Sequence, residues 1–155
     1  VRGHYEALAR LDPGVPRGAP IADGEEVGAL RAVFTPGHAP GHHAYLHGRT
    51  GTVIAGDMVA GTGTILIEPG DGDMAVYLAS LEKLASLRPT ALVPAHGNLL
   101  QPEVLPRYVA HRLAREERVH AALVRHGRPA TPGDLVPHAY ADAPSAVWPL
   151  AALST

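Results

Sequence analysis

The chain has 155 residues, of which 46% are apolar, enough to fill the core of one domain or of one domain with a small second one. The net charge of -2 argues against a broad surface for binding polyanions. Cysteine is absent, which excludes disulfides, a thiolate nucleophile and cysteine-based zinc sites and leaves histidine and aspartate as the available metal ligands.

Glycine and proline, with 17 and 15 residues, occur in turn-like positions along the chain, which favours a loop-rich α/β protein over a disordered one. No apolar run reaches the roughly 18 residues needed to span a bilayer, and no signal peptide is visible. The cytoplasm is therefore the expected location, and no membrane partner is expected.

The first part of the chain predicts a short helix, about His4–Leu11, and a loop rich in proline and glycine from Asp12 to Pro20. Asp23–Glu25 is typical of a turn, and Val27–Phe34 after it predicts a strand. Together they predict a hairpin-like entry to the loop that begins at Thr35.

Two short strands are predicted at Ala44–Leu46 and Thr52–Ala55, joined by a turn at Gly48–Gly51. Residues Met58–Gly72 are mostly small, with one apolar run at Ile65–Ile67, and this composition predicts a loop that lines a cleft.

The clearest early helix begins after Asp73, a residue suited to cap a helix N-terminus, and Pro89 follows its end. One face of this helix is apolar at helical spacing: Met74, Tyr77, Leu78, Leu81, Leu84 and Ala85. Ala91–Val93 then predicts a buried strand that delivers His96. Strand, helix and strand in this order favour an α/β architecture with a site at the strand ends.

After residue 100 the pattern becomes helical. Residues 104–126 predict one long helix that ends at Gly127, with Arg112 and Glu116 as an i, i+4 pair. A second short helix is predicted to begin at Thr131–Asp134 and a third to cover about Ala146–Leu153. These helices suggest a small helical or winged-helix-like module, so the expected division is residues 1–100 and 101–155.

Three stretches place a side chain able to bind metal directly after a short apolar run: Thr35–His43, Gly56–Asp57 and Pro94–Gly97. Imidazole and carboxylate suit zinc, or manganese or iron in a similar frame. Zinc-bound water has a pKa of about 7, and an aspartate can bridge two ions. The alternative is that these histidines are surface residues, which is the more common fate of a histidine in a loop rich in glycine and proline.

The same stretches resemble, in order and spacing, the later metal motifs of the metallo-β-lactamase superfamily. Gly61–Thr64 and Pro69–Met74 resemble a narrower branch, the lactamase-β-2-like hydrolases, which includes a mitochondrial single-strand endoribonuclease. The stretch His111–Glu116 resembles the winged-helix tail of that branch. The implied fold is the second half of an αβ/βα sandwich followed by a truncated winged-helix-like helical module.

The resemblance implies that His38 binds the first zinc, that Asp57 bridges two zinc ions and that His96 binds the second. In the family His42 usually supports the ligands without binding metal. Six other histidines are expected to be solvated or satisfied in packing: His43, His47, His111, His120, His126 and His138. Asp71 and Asp73 are expected to be loop and cap residues, and Ala95 replaces the usual glycine, at little cost unless the position requires a positive φ.

The first motif of the family, H-x-H-x-D-H, is absent from this sequence. That motif supplies the remaining zinc ligands and the aspartate that orients the attacking water, so no catalytic residue is identified here and its aspartate is expected upstream. The chain is accordingly expected to be a C-terminal fragment that is inactive alone and binds zinc weakly.

Three functions stay open. The favoured one is a dinuclear-zinc hydrolase in the parent protein, which cleaves phosphodiesters of single-stranded nucleic acid by metal-bound hydroxide. The second is a glyoxalase II-like hydrolase of thioesters or other acyl compounds, and the third is a non-catalytic interaction module. Residues 101–155 carry six arginines against five acidic residues, less basic than a nucleic-acid surface should be. The expected partners are a small-molecule or single-stranded nucleic-acid substrate and a second copy of the chain in a homodimer.

Overall fold

The computed structural model describes residues 20–153. The predicted helix over His4–Leu11 and nearly all of the loop after it lie outside these residues. The strands are β1 (Glu26–Val27), β2 (Leu30–Phe34), β3 (His43–His47), β4 (Thr52–Gly56) and β5 (Ala91–Pro94). The helices are α1 (Met74–Ser86), α2 (Val104–His126), α3 (Pro132–Ala139) and α4 (Trp148–Leu153), with a 3-10 turn at Ser145–Val147 before α4.

The five strands form one sheet in sequence order, β1-β2-β3-β4-β5. Strands β1 to β4 are antiparallel neighbours, whereas β5 runs parallel to β4. The parallel pair is connected by α1, which confirms the predicted strand–helix–strand unit. Because direction alternates from β2 to β4, strands β2, β4 and β5 all point the same way and end at the same edge of the sheet.

The strand predicted over Val27–Phe34 is wrong in one respect. A turn at Gly28 and Ala29 divides it into β1 and β2, which pair with each other as a hairpin. Gly28 has a φ of 63°, a conformation that glycine adopts without steric cost, so the turn falls on this residue.

One face of the sheet packs against α1. Val53 and Ala55 of β4 are fully buried there against Tyr77, Leu81 and Leu84 of the helix. On the opposite face, Ile54 and its neighbour in register, Val93, are 41% and 36% exposed. The described part of the sheet therefore has one face covered by a helix and one face with apolar side chains partly exposed.

The predicted cap of α1 is confirmed, because the Asp73 side chain accepts a hydrogen bond from the Val76 N–H at 3.0 Å. The outer edge of β5 is paired as well. Leu92 and Leu100 exchange two backbone hydrogen bonds of 2.9 Å, which fold the chain after β5 back along the edge of the sheet.

Helix α2 begins at Val104 and ends at His126, as predicted, and Gly127 ends it in the left-handed conformation with φ 67°. Leu105 near its start belongs to the main core, whereas Ala122 packs with Leu135 and Ala139 of α3 in a second, smaller cluster. The domain boundary after residue 100 stays a prediction.

The predicted short helices after residue 130 are confirmed. Arg115 and Arg118 of α2 hold them by ion pairs to Asp142, while Trp148 Nε1 donates to the carbonyls of Tyr140 and Ala143. Residues 101–153 contain helices and no strand that could form a wing, so the winged-helix interpretation is not confirmed. Within residues 20–153, no helix combines the length and the apolarity that crossing a membrane requires.

Candidate metal site

The three predicted ligands lie at the edge of the sheet where β2, β4 and β5 end. His38 is in the loop after β2, Asp57 follows Gly56 at the end of β4, and His96 follows β5. Loops at the carboxyl ends of like-directed strands converge, so residues far apart in sequence meet there. The predicted convergence of the three loops is thus what the fold produces.

Asp57 lies between the two histidines and offers each a different oxygen. His38 Nε2 is 3.8 Å from Asp57 Oδ2, and His96 Nε2 is 3.4 Å from Asp57 Oδ1. Ligand atoms about 2.0–2.2 Å from a tetrahedral zinc ion are about 3.3–3.6 Å from each other. The His96 separation matches that spacing and the His38 separation is slightly longer, so the donor pairs are spaced as neighbouring ligands of a metal would be.

The three side chains do not all meet at one point, however. Across residues 20–153, no three histidine, aspartate or glutamate side chains are placed as a set that could hold a metal ion. His38 and His96 each face Asp57 from its own side, and His96 is 72% exposed. The donor types and the two-sided aspartate fit part of a two-metal site, and a complete site needs further ligands from outside these residues.

The His38 ring is held in one orientation by a main-chain carbonyl. Its Nδ1 lies 3.0 Å from the oxygen of Leu66. Because a carbonyl can only accept, Nδ1 carries the hydrogen, and in the neutral ring Nε2 then keeps a free electron pair. That electron pair is on the atom that faces Asp57, so the tautomer suits metal binding.

His42 lies beneath the site and holds Asp57 in place. Its Nε2 accepts a hydrogen bond of 3.2 Å from the Asp57 N–H, so its hydrogen is on Nδ1, which donates to Thr35 Oγ1 at 2.8 Å. Thr35 is fully buried and also accepts from the Ala44 N–H. With both ring nitrogens engaged, His42 in this arrangement supports the ligands and has no electron pair left for a metal.

The charge state of His42 agrees with these hydrogen bonds. Burial lowers the pKa of its imidazole below the ordinary value, and the neighbouring His38 lowers it further. The neutral ring is the form that can accept from the Asp57 amide. Gly56 lets the ring approach closely, because a Cβ there would lie 2.6 Å from His42 Nε2 and the residue has a φ of +55°.

The sequence of this chain is similar to those of known proteins. The family model described as the metallo-beta-lactamase superfamily matches residues 3–96, more than half of the chain. The chain belongs to the metallo-beta-lactamase superfamily. A "Beta-lactamase-like protein 2 homolog" from Caenorhabditis elegans is 34% identical over 156 residues, covering 97% of this chain and 51% of the relative. "Thioesterase pkgB" from Emericella nidulans is 37% identical over 99 residues, covering 63% of this chain and 28% of that protein.

Solved structures agree on the fold. A beta-lactamase domain protein from Burkholderia ambifaria is 25% identical, with a TM-score of 0.71, and the match covers 98% of this chain and 49% of that one. A protein solved in a di-iron-bound form matches 68% of this chain and 56% of its own, with 23% identity and a TM-score of 0.56. The chain spans about half or less of the length of the curated relatives named above.

In this superfamily member the segment 58–67 bonds to His38 and to the main chain of His96, and it is joined directly to Asp57. It begins directly after Asp57, and Gly61 N–H donates to the His96 carbonyl at 2.8 Å. At its other end the Leu66 carbonyl accepts from His38. The prediction that this part of the chain is a loop is confirmed, and Ile65 and Ile67 anchor it in the core with 4% exposure each.

Two residues of α2 that contact this segment were missed by the sequence reasoning. The Tyr108 hydroxyl accepts from the Ala60 N–H and donates to the Ala60 carbonyl, at 2.9 and 3.1 Å. Arg112 donates to the Ile65 carbonyl and, at 3.2 Å, to Thr64 Oγ1. The predicted i, i+4 pair of Arg112 with Glu116 is wrong, since the salt bridges found among residues 20–153 do not include it. The guanidinium instead bonds to the loop.

Two of the other histidines bond to groups other than the three candidate ligands. His43 bonds to the Gly41 carbonyl and His47 to Thr50 Oγ1. Burial, and after it the charges of two neighbouring arginines, lowers the pKa of His111 on α2. Arg88 is the one residue other than glycine with a positive φ in the described part of the chain, so Ala95 meets no backbone strain where the family has glycine.

Proposed function

We propose that this chain supplies His38, Asp57 and His96 to the two-metal site of a hydrolase. The observation that carries the proposal is the position of Asp57, whose two oxygens face two different histidines at 3.8 and 3.4 Å. A carboxylate with one oxygen toward each side is suited to bridge two ions. Zinc is the expected metal, with manganese or iron as the alternatives that the same donors accept.

Divalent ions at this site would supply Lewis acidity and a nucleophile at neutral pH. The chain's own residues would hold and orient the ligands. His38 presents Nε2 because Leu66 fixes the hydrogen on Nδ1, and His42 fixes the backbone of Asp57. The open position of His96 leaves one side of the site accessible to substrate.

For the substrate, we infer a phosphodiester of single-stranded nucleic acid. The support is the resemblance of Gly61–Thr64 and Pro69–Met74 to the lactamase-β-2-like branch, which includes a single-strand endoribonuclease. The match to a beta-lactamase-like protein 2 homolog covers 97% of the chain and so includes the helical tail. The match to a thioesterase covers 63%. Hydrolysis of a thioester is the second candidate, favoured by the name of that relative and by the nearly balanced charges of the tail.

The whole protein tests both candidates. Wild type loaded with zinc should cleave single-stranded RNA. Asp57→Asn should abolish cleavage, because the neutral amide of asparagine cannot replace a carboxylate that bridges two cations. Asp71→Asn, in an exposed loop, is the matched control and should keep the activity. Activity on a panel of thioesters without activity on RNA would reverse the order of the two candidates. Full activity of Asp57→Asn would overturn the proposal.

The 155-residue chain alone should bind zinc weakly and lack activity, because a set of three ligands divided over two ions leaves each ion short of the usual four. Calorimetric titration with zinc should show weak binding that Asp57→Asn weakens further. Tight binding of two zinc ions to this chain would contradict the expectation that the remaining ligands come from elsewhere.

A further inference from the structure

We propose that Tyr108 and Arg112 of helix α2 are positioning residues for the metal site, acting through the segment 58–67. The inference rests on the proposed function in that it takes His38, Asp57 and His96 as the ligands. It assigns to the helical tail a role in preparing the site, which is separate from any contact of the tail with substrate.

The two side chains are one helical turn apart and so lie on the same face of α2. Tyr108 binds both the N–H and the carbonyl of Ala60, three residues after Asp57. Arg112 binds the Ile65 carbonyl and Thr64 Oγ1. The helix therefore fixes the segment at two points, close to its beginning and close to its end.

Each fixed point is adjacent in the chain to a contact with a ligand. Gly61, directly after Ala60, donates to the His96 carbonyl at 2.8 Å. Leu66, directly after Ile65, accepts from His38 Nδ1 at 3.0 Å. The Ile65 carbonyl lies in the same planar peptide unit as the Leu66 N–H and Cα, so fixing it leaves only the two backbone dihedrals of Leu66 between that point and the carbonyl that accepts from His38.

The guanidinium of Arg112 is itself held in place. It lies over the ring of Tyr77, 5.6 Å from the centroid, and Tyr77 is fully buried with its hydroxyl donating to the Met58 carbonyl at 2.7 Å. Arg112 Nε is buried without a hydrogen-bond partner among the described residues. An unsatisfied buried donor is unfavourable, so the arginine is kept in this position by its other contacts and not by Nε.

The segment is anchored in the core at both ends, by Met58–Ala60 and by Ile65 and Ile67, but residues 61–64 between them are exposed, so the orientation of the main chain there depends on outside contacts. Residues 58–64 contain no helix or strand, and Gly61 and Gly63 add backbone freedom. Without the contacts from α2, the carbonyl that orients His38 and the amide that binds the His96 carbonyl would both lose a constraint. The ligands would then have to be ordered when metal binds, at the expense of affinity.

Two variants of the whole protein test this. Tyr108→Phe removes only the hydroxyl, and Arg112→Met removes the guanidinium but keeps an unbranched stem. Tyr140→Phe and Arg118→Met are the matched controls, because both alter the same residue types in the tail without contacting segment 58–67. Circular dichroism before and after heating establishes that all four variants fold.

The first readout needs no metal. In the metal-free chain, nitrogen-15 NMR of the His38 ring should show the Nδ1-hydrogen tautomer in wild type and both controls, and a mixture of tautomers in Arg112→Met. Exchange of the Ala60 and Gly61 amides should accelerate in Tyr108→Phe. The Ala60 amide bonds directly to the Tyr108 hydroxyl, so its faster exchange shows only that this contact is lost. A purely structural role of these residues in the tail would leave the ring signal and the Gly61 amide unchanged.

The second readout is zinc affinity, measured by competition with a chromophoric chelator. Loss of a group bonded directly to a metal ligand lowers affinity about 10- to 100-fold. Because Tyr108 and Arg112 act one contact further away, we expect a loss near the lower end of that range, about 10-fold, in both variants relative to the controls. Unchanged His38 and amide signals together with unchanged affinity would overturn the positioning role. If zinc fails to bind even the wild-type whole protein while the NMR changes occur, the proposed metal function fails, whereas Tyr108 and Arg112 still orient the His38 ring and the segment 58–67.

Discussion

Replacing Thr35 with valine tests whether one buried hydroxyl holds the loop of His38 and His42 in place. Thr35 is fully buried, and its hydroxyl accepts from the Ala44 N–H at 3.1 Å and from His42 Nδ1 at 2.8 Å. Valine has nearly the same shape but no acceptor. Thr35→Val would therefore leave two donors in the folded state without their partner.

The expected loss in the free energy of unfolding is the sum of the contributions of the two donors. A buried donor left unsatisfied costs about 1–3 kcal/mol. The amide of Ala44 belongs to a fully buried residue, whereas His42 is partly accessible and water can satisfy some of its loss. The free energy of unfolding should fall by about 2–4 kcal/mol, a large part of the roughly 5–15 kcal/mol of an ordinary domain.

Urea denaturation of the 155-residue chain measures this loss. Thr35→Ser keeps the acceptor and removes one methyl group, so it should cost only about 1 kcal/mol. Thr52→Val changes a partly exposed threonine of β4 in the same way as Thr35→Val and should be nearly neutral. If Thr35→Val costs no more than Thr35→Ser, the hydroxyl does not hold the loop and the reasoning is refuted.

Two further substitutions test the site and the tail. Gly56→Ala would place a carbon 2.6 Å from His42 Nε2. Thermal unfolding should therefore show a larger loss of stability than for Gly63→Ala, where φ is also positive but no atom lies within 4 Å. Equal losses of stability would contradict the close contact. Hydrogen bonds from two α2 arginines hold the pKa of Asp142 well below its ordinary value. Its contribution to stability is therefore complete above the unfolded pKa of about 3.9 and is lost as the pH falls below it. The fluorescence of Trp148, the single tryptophan, should report this acid transition, and Asp142→Asn should remove it.

Local signals in the sequence were sufficient for the elements that depend on local chemistry. Asp73 caps α1 because its side chain can reach the Val76 amide, and Gly127 ends α2 because glycine adopts the left-handed conformation. The meeting of the His38, Asp57 and His96 loops was also predictable, since short apolar strands precede all three. Their roles as metal ligands stay predictions.

The contacts that depend on the fold were not predictable from spacing. Arg112 and Glu116 have the spacing of an ion pair, but the guanidinium finds a main-chain carbonyl 47 residues earlier in the chain. Tyr108 received no prediction, because nothing in the pattern of α2 indicates which backbone its hydroxyl contacts. The turn at Gly28 was hidden for a different reason: one glycine in an apolar run is compatible with both a strand and a hairpin.

The two hydrogen bonds between Leu92 and Leu100 have a consequence for how the protein behaves in solution. An unpaired outer strand offers its amides and carbonyls to other chains, and edge-to-edge pairing is a common start of aggregation. The backbone of Leu100 occupies this position on β5, with Pro102 close behind it, a residue that cannot donate to a ladder. A change that loosens residues 98–102 would therefore be expected to appear first as self-association and only afterwards as loss of fold.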